Sequence, residues 1–302
     1  MKKILTIIVS YNFEKWIDKC LNSLVNSTLH TDIIVIDNNS QDNTVRIISE
    51  KWKGKVRLII SKQNLGFGRA NNIGINTAIN EGYDAVFLLN QDAWVDNDVI
   101  TTMAEISTKY KEFGILSPIH MNGEGKSIET GFKAYTGFDF NTIKTIDKYS
   151  PIECDFINAA FWFIRTDVLK IVGLFSPLFY HYGEDKDYIN RLKYHGYKLG
   201  YIPGIKGYHD RGIRILSEKA RYHGVYVYLL SEYANINYNI YSAFIFSVLA
   251  SIKKSIVFLL KLNLRASWKQ CSVSFRLIGD TKKILADRKK NKKRFYPDQA
   301  IS

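Results

Sequence analysis

Four times in its first 112 residues the chain passes from a short apolar run into a longer segment of helical periodicity. The runs cover residues 3–10, 32–37, 56–60 and 84–90 and are rich in Ile, Val and Leu. Near-continuous apolar runs of that length suit strands buried on both faces of a parallel sheet. Between the first two, residues 14–26 place Trp16, Ile17, Cys20, Leu21, Leu24 and Val25 at helical spacing. Ser40 reads as the N-cap of a helix through Trp52, and further helices are predicted near 69–81 and 97–112. The alternation predicts an α/β fold, a mostly parallel central sheet flanked by helices on both faces. The opening Met1-Lys2-Lys3 resembles a signal peptide, but the apolar run ends at Ser10-Tyr11-Asn12, too early for one.

Beyond residue 113 the pattern weakens. Residues 114–150 mix Gly, Asn, Thr and Lys with isolated aromatics and read as irregular or short antiparallel elements. An apolar strand is predicted at 156–164, short helices at 167–172 and 184–195, and two short strands, 198–202 and 205–209, around Pro203-Gly204. Long helices follow from about 214. Residues 243–252 and 256–260 are apolar, but Lys253-Lys254-Ser255 divides them. A spanning helix needs roughly 20 unbroken apolar residues, so an interfacial helix is the better reading.

Charge sharpens that reading. The net +13 is concentrated in residues 253–294, which hold 14 Lys or Arg against Asp280 and Asp287 alone. The C-terminal part is therefore a helical basic and amphipathic extension, suited to an anionic membrane surface. A nucleic-acid role is the rival for residues 282–294 and is not the reading adopted. Three scattered cysteines, Cys20, Cys154 and Cys271, show no metal or disulfide spacing and fit a reducing, cytoplasmic compartment.

In sheets of this kind, ligands bind at the carboxyl ends of the strands. Those ends carry Ser10-Tyr11-Asn12, Asp37-Asn38-Asn39, the loop from Asn64 to Asn72, and Asn90-Gln91-Asp92. Asp92 offers a hard oxygen to a divalent cation, though a turn aspartate is the commoner reading. Glu184-Asp185 opens a helix whose positive end should keep a carboxylate ionised and able to act as a general base. Adjacent acids there can equally be simple dipole complements. His209 ends an apolar segment; a lone His is more often structural than a ligand, although a His converging with carboxylates on a crevice would suit a divalent metal. Gly66-Phe67-Gly68 lacks the third glycine of a dinucleotide fingerprint and follows the wrong strand.

Taken together, Ile8-Val9-Ser10-Tyr11-Asn12, Ile36-Asp37-Asn38-Asn39-Ser40, Asn64-Leu65-Gly66-Phe67 with Asn71-Asn72, Leu89-Asn90-Gln91-Asp92, Gly183-Glu184-Asp185 with Arg191, and His209 resemble, in order, the inverting GT-A-fold glycosyltransferases of the family 2 type. The rhamnosyltransferase-like bacterial members are the nearest in pattern. The resemblance covers roughly residues 4–212.

It implies that Ser10, Tyr11, Asn12 and Asp37 hold the nucleotide's base and ribose. Asn64, Gly66, Arg69, Asn72 and Gln91 would line the nucleotide and its diphosphate. Asp92 would bind Mg2+ or Mn2+, with His209 as a second ligand. Asp185 would be the general base and Glu184 would position the acceptor. The first acid of the DxD motif is Asn90 here, which removes a charge and favours a deoxythymidine-diphosphate sugar such as dTDP-rhamnose. The implied partners are a nucleotide-diphosphate sugar and a saccharide acceptor, lipid-linked and made into cell-surface polysaccharide.

The implied division is a nucleotide-sugar-binding catalytic domain at 1–213 and a membrane-associating region at 214–302, peripheral at the inner face of the cell membrane. A nucleotidyltransferase is disfavoured, because no basic glycine-rich loop follows the first strand. A catalytically silent sugar-nucleotide binder is the alternative that Asn90 motivates.

Overall fold

The computed structural model describes residues 3–140, 147–212 and 217–295. A nine-stranded sheet forms its centre, in the order β3-β2-β1-β4-β8-β6-β9-β5, with β7 paired to β9. The strands are β1 (Ile4–Ser10), β2 (Asp32–Asp37), β3 (Arg57–Ile60), β4 (Ala85–Asn90), β5 (Ala93–Val95), β6 (Phe113–Asn122), β7 (Ile152–Glu153), β8 (Phe161–Arg165) and β9 (Lys198–His209). β3, β2, β1 and β4 run parallel, as the alternation predicts. β8 enters antiparallel to both β4 and β6, so the whole sheet is mixed.

Strand alternation divides the core in two. On one face Ile4, Ile8, Ile33, Val35, Phe87 and Leu89 pack under α1 (Ile17–Val25), α2 (Thr44–Lys51) and α4 (Val99–Lys109). On the other, Leu5, Ile7, Ile34, Ile36, Val86 and Leu88 pack under α3 (Phe67–Asn80), α5 (Thr130–Thr136), α6 (Thr166–Val172) and α7 (Glu184–Tyr194). Gly74 lets α3 sit close, since a Cβ there would lie 2.6 Å from the Ile7 side chain.

Two readings of the middle region are corrected. Residues 113–122 are not irregular: they form β6, buried along nearly its whole length between β8 and β9. Its polar Ser117 and His120 bond to each other at 2.9 Å, and Pro118 sits at a register shift, where a strand tolerates proline. β9 is likewise one strand of 12 residues and not two, with Pro203-Gly204 inside the same irregularity. Ser40 does not cap α2; Asn43 takes that position.

The C-terminal region has its own core, in which Leu230, Tyr233, Val248, Leu277 and Ile284 gather around Phe179. It comprises α8 (Glu218–Ala234), α9 (Ile240–Phe244), a π-helical turn (Ile245–Leu249), α10 (Ala250–Leu260), α11 (Leu264–Gly279) and α12 (Thr281–Asn291). Lys253-Lys254 does not interrupt the helix. Residues Ile240–Leu260 run unbroken, long and apolar enough to cross a membrane by length and composition. α12 folds back onto the sheet unit. Ser176 donates to Asp287 at 3.0 Å, and Arg288, almost fully buried, donates to the carbonyls of Tyr233, Asn235 and Tyr238. Part of the basic segment is thus structural. The expected boundary between 213 and 214 lies outside the described residues.

Candidate active site

One cavity of about 550 Å3 opens where β4, β8 and β9 meet α7 and α8. Asp92, His209, Glu184 and Asp185 all line it, with Asn90, Asn158 and Arg211.

Strand register brings the first two together. β5 pairs antiparallel with β9 so that Ala93 faces His209, and the Asp210 N–H donates to the Asp92 carbonyl at 2.8 Å. His209 Nε2 then lies 3.2 Å from Asp92 Oδ1, and its Nδ1 lies 3.3 Å from Glu129 Oε2. Glu129 is a residue that sequence reasoning missed. It starts α5 and is buried, with His120 Nδ1 at 3.4 Å and Arg211 at 3.6 Å. No local pattern marks it, because its partners come from strands 9 and 80 positions away.

Charge is shared unevenly through this chain. Burial alone would lower the pKa of His209, but hydrogen bonds to Asp92 and Glu129, and their charges, raise it to about 9. Burial would raise the pKa of Glu129, yet the two imidazoles hold its carboxyl well below the usual range. His120 is fully buried, and that desolvation lowers its pKa despite Glu129. At neutral pH, then, His209 is a cation held between two carboxylates.

Glu184 and Asp185 follow Gly183, which takes φ +82° at the N-cap of α7. The glycine is required there, since a Cβ would lie 2.4 Å from Val227. Burial pushes Glu184 up to about 8, and the charge of Asp185 adds to the shift. Burial also raises Asp185, against a hydrogen bond from the Lys186 N–H and the charge of Arg211. The expected ionising influence of the helix end is therefore outweighed for Glu184, whose Oε2 is buried and has no hydrogen-bond partner.

A stability effect follows. Folded Glu184 keeps its proton up to about pH 8, whereas the unfolded chain releases it near pH 4.5. Stability from this group is fully present below that lower value and is lost as pH rises toward 8, at up to ~1.4 kcal/mol per pH unit. Glu184→Gln should flatten this slope and raise the melting temperature at pH 8 by several degrees, on the order of 2–4 °C per kcal/mol. Melting curves at pH 5 and pH 8 test this; equal slopes in both proteins would count against it.

The residues expected around the nucleotide divide into two groups. Tyr11 and Asn12 are exposed beyond β1, and Gln91 is fixed beside them by reciprocal bonds with the Tyr11 backbone, at 2.7 and 3.0 Å. Ser10 and Asp37 are buried and bonded to each other at 3.1 Å. Asp37 also accepts from the Ser40 N–H at 3.0 Å and from its hydroxyl, so its oxygens serve the loop. The Asn64 side chain accepts from Asn38 and from the Gly66 N–H, both at 2.9 Å.

Three of these residues also have partners within the chain. Gly66 admits the close approach of the Tyr180 carbonyl, where a Cβ would clash. Asn72 forms a two-way clamp with the Phe175 backbone, at 3.0 and 2.8 Å. Arg69 donates to the Pro177 carbonyl at 3.2 Å and lines a separate depression with Arg276 and Lys283. None of the three lines the cavity of Asp92.

Comparison with known proteins supplies the family. A model of glycosyl transferase family 2 matches residues 6–171. Rhamnosyltransferase WbbL of Escherichia coli K12 is 28 % identical over 222 residues, covering 67 % of this chain and 81 % of WbbL. Glycosyltransferase GlyA of Streptococcus pneumoniae is 29 % identical over 111 residues, which span 36 % of this chain but only 16 % of that protein. The crystal structure of Staphylococcus aureus TarS 1–349 with UDP-GlcNAc superposes with a TM-score of 0.56 at 17 % identity, over 96 % of this chain and 89 % of that one. At that identity the likeness is one of fold. The family match alone spans more than half of the residues, and the chain belongs to glycosyl transferase family 2.

Proposed function

We propose that the chain is an inverting glycosyltransferase that moves a sugar from a nucleotide diphosphate to a hydroxyl of a saccharide acceptor. The observation that carries this is the convergence of Asp92 and His209 with Glu184 and Asp185 on one cavity. Asp185 accepts the acceptor hydroxyl's proton as that oxygen bonds to the anomeric carbon. The bond from this carbon to the diphosphate breaks, and the diphosphate leaves with the electron pair. Burial raises the Asp185 pKa and so makes its carboxylate a stronger base. Glu184, protonated at neutral pH, is placed to hydrogen-bond the acceptor.

Asp92 and His209 would hold a divalent cation, Mg2+ or Mn2+. Among the described residues no three His, Cys, Asp or Glu side chains gather as a complete metal site. The pair fits an ion whose remaining ligands are diphosphate oxygens and water, provided the ion displaces the Nε2 proton that His209 otherwise shares with Asp92, with Glu129 orienting the imidazole from behind. Such an ion, when bound, neutralises charge on the leaving diphosphate.

Rhamnose from dTDP-rhamnose is the favoured donor, supported by the similarity to WbbL and by Asn90. A lipid-linked acceptor, and a place at the cytoplasmic face of the cell membrane, complete the reading. Thermal shift with dTDP-rhamnose and UDP-GlcNAc, with and without Mn2+, tests it. A true donor at 100 times its Kd should stabilise the protein by ~2.7 kcal/mol. Asp92→Ala should lose the cation-dependent part of that gain. No shift in the unmodified protein with any nucleotide sugar would sink the proposal.

A further inference from the structure

The hairpin of α10 and α11 is polar inside and apolar outside. Its seam is made of serines. Ser255 and Ser267 each donate to the other's carbonyl, at 2.8 and 2.9 Å. Gln270 donates to Ser251 at 2.7 Å, and so does Ser274 at 2.8 Å. All five side chains are buried. The outward faces carry the apolar residues instead. Leu264, Trp268, Phe275 and Ile278 form a stripe along α11, at 66, 72, 65 and 46 % exposure. Ile256 and Leu260 continue it on α10, at 51 and 78 %.

In water this distribution is the reverse of what drives two helices together. In hydrocarbon it is the favourable one, because small residues allow close approach and side-chain hydrogen bonds join the helices where lipid tails offer no competing partners. The tip makes the same point. Leu262 holds φ +56°, a left-handed conformation that costs a branched residue far more than glycine, yet its side chain is 87 % exposed. An exposed leucine in that conformation presents its side chain wholly to the surrounding medium.

Charge identifies the apolar medium. Lys253, Lys254 and Lys261 lie on the outer surface of the same hairpin, and among the described residues none pairs with a carboxylate. Unpaired lysines beside an apolar stripe suit an anionic lipid surface and would resist burial against a second copy carrying the same charges.

We infer that the α10–α11 hairpin enters the hydrocarbon layer of an anionic bilayer, with Leu262 and Trp268 below the headgroups. This rests on the membrane-side location proposed above and goes further, from lying on the surface to insertion.

The test uses the full chain with phosphatidylcholine vesicles, with and without one-third phosphatidylglycerol, some carrying bromine on their acyl chains. The expected result is flotation with anionic vesicles and bromine quenching of tryptophan emission, the quenched part vanishing in Trp268→Phe. Leu262→Glu with Trp268→Glu should abolish flotation. Lys253→Gln, Lys254→Gln and Lys261→Gln together should weaken it on the order of 100-fold, at about 1 kcal/mol per charge. Flotation without quenching of Trp268 would leave surface attachment standing and overturn insertion. A lipid-free dimer that Trp268→Glu dissociates, with no flotation, would assign the face to a second copy and also overturn it. Donor thermal shifts on the same variants should be unchanged, so failure here is separable from failure of the glycosyltransferase proposal.

Discussion

Asp185→Asn is expected to lower turnover by ~10²–10⁴ while leaving donor binding nearly intact, the loss typical of removing a general base. The amide keeps the shape and the hydrogen bond from the Lys186 N–H, but it cannot take a proton. Its neighbour cannot substitute. Glu184 is pushed up to about 8 and holds its proton in the range where Asp185 would act. Replacing Asp185 removes only the smaller cause of that shift, and burial, the larger one, still holds Glu184 above the ordinary carboxylate range in the variant. Initial rates and a nucleotide-sugar thermal shift on the same preparation separate the two properties. Near-normal turnover would remove Asp185 from the chemistry, and equal loss of turnover and donor binding would make it a binding residue.

The second large effect concerns stability. Asp187 and Arg191 form an ion pair at 2.9 Å, one turn apart on α7, with side chains 2 and 1 % exposed. Arg191 also donates to the Val172 carbonyl at the end of α6, at 2.9 Å. Arg191, one of the residues that carried the sequence resemblance, is buried and ties α7 to α6. Asp187→Ala removes the carboxylate bonded directly to a buried guanidinium, which costs ~3–5 kcal/mol. At 2–4 °C per kcal/mol, the melting temperature should drop by roughly 10 °C. Asp187→Leu with Arg191→Met removes both charges and should recover much of the loss. Denaturation midpoints of the three proteins decide this; a double variant no better than Asp187→Ala would mean that packing, and not the unpaired charge, dominates.

The parts of this molecule legible in its sequence were those where one local property settles the structure. Residues 4–10, 32–37 and 85–90 are mainly apolar on both faces, and they and the half-exposed edge strand 57–60 lie within a residue or so of their expected ends. β6 was hidden because Ser117, His120 and Pro118 break its apolar pattern: the first two satisfy each other within the strand, Glu129 faces the second imidazole nitrogen, and Pro118 sits at a register shift against β9. The lysines at 253–254 read as an interruption, but lysine is a good helix former and both side chains point outward, so α10 continues through them. The same distinction applies to the cavity. Asp92, Glu184, Asp185 and His209 could be named individually because strand ends and helix starts mark them. The meeting of Asp92 with His209 depends on the β5–β9 register, and Glu129 reaches His209 through the β6–β9 register. Arg69 and Asn72 bond to the Pro177 and Phe175 carbonyls, contacts that a polar residue after a strand gives no local sign of.

One helix performs two duties. Ala220, His223 and Gly224 at the start of α8 wall the cavity, and the same chain continues from there into the apolar hairpin. A shortened version cut before Ser217, the obvious route to an easily handled soluble enzyme, would take away a side of the reaction chamber together with whatever tethers it. Inactivity in such a truncate would therefore say nothing about the need for lipid. Point changes on the hairpin's outer face keep the chamber whole and are the sound way to ask that question.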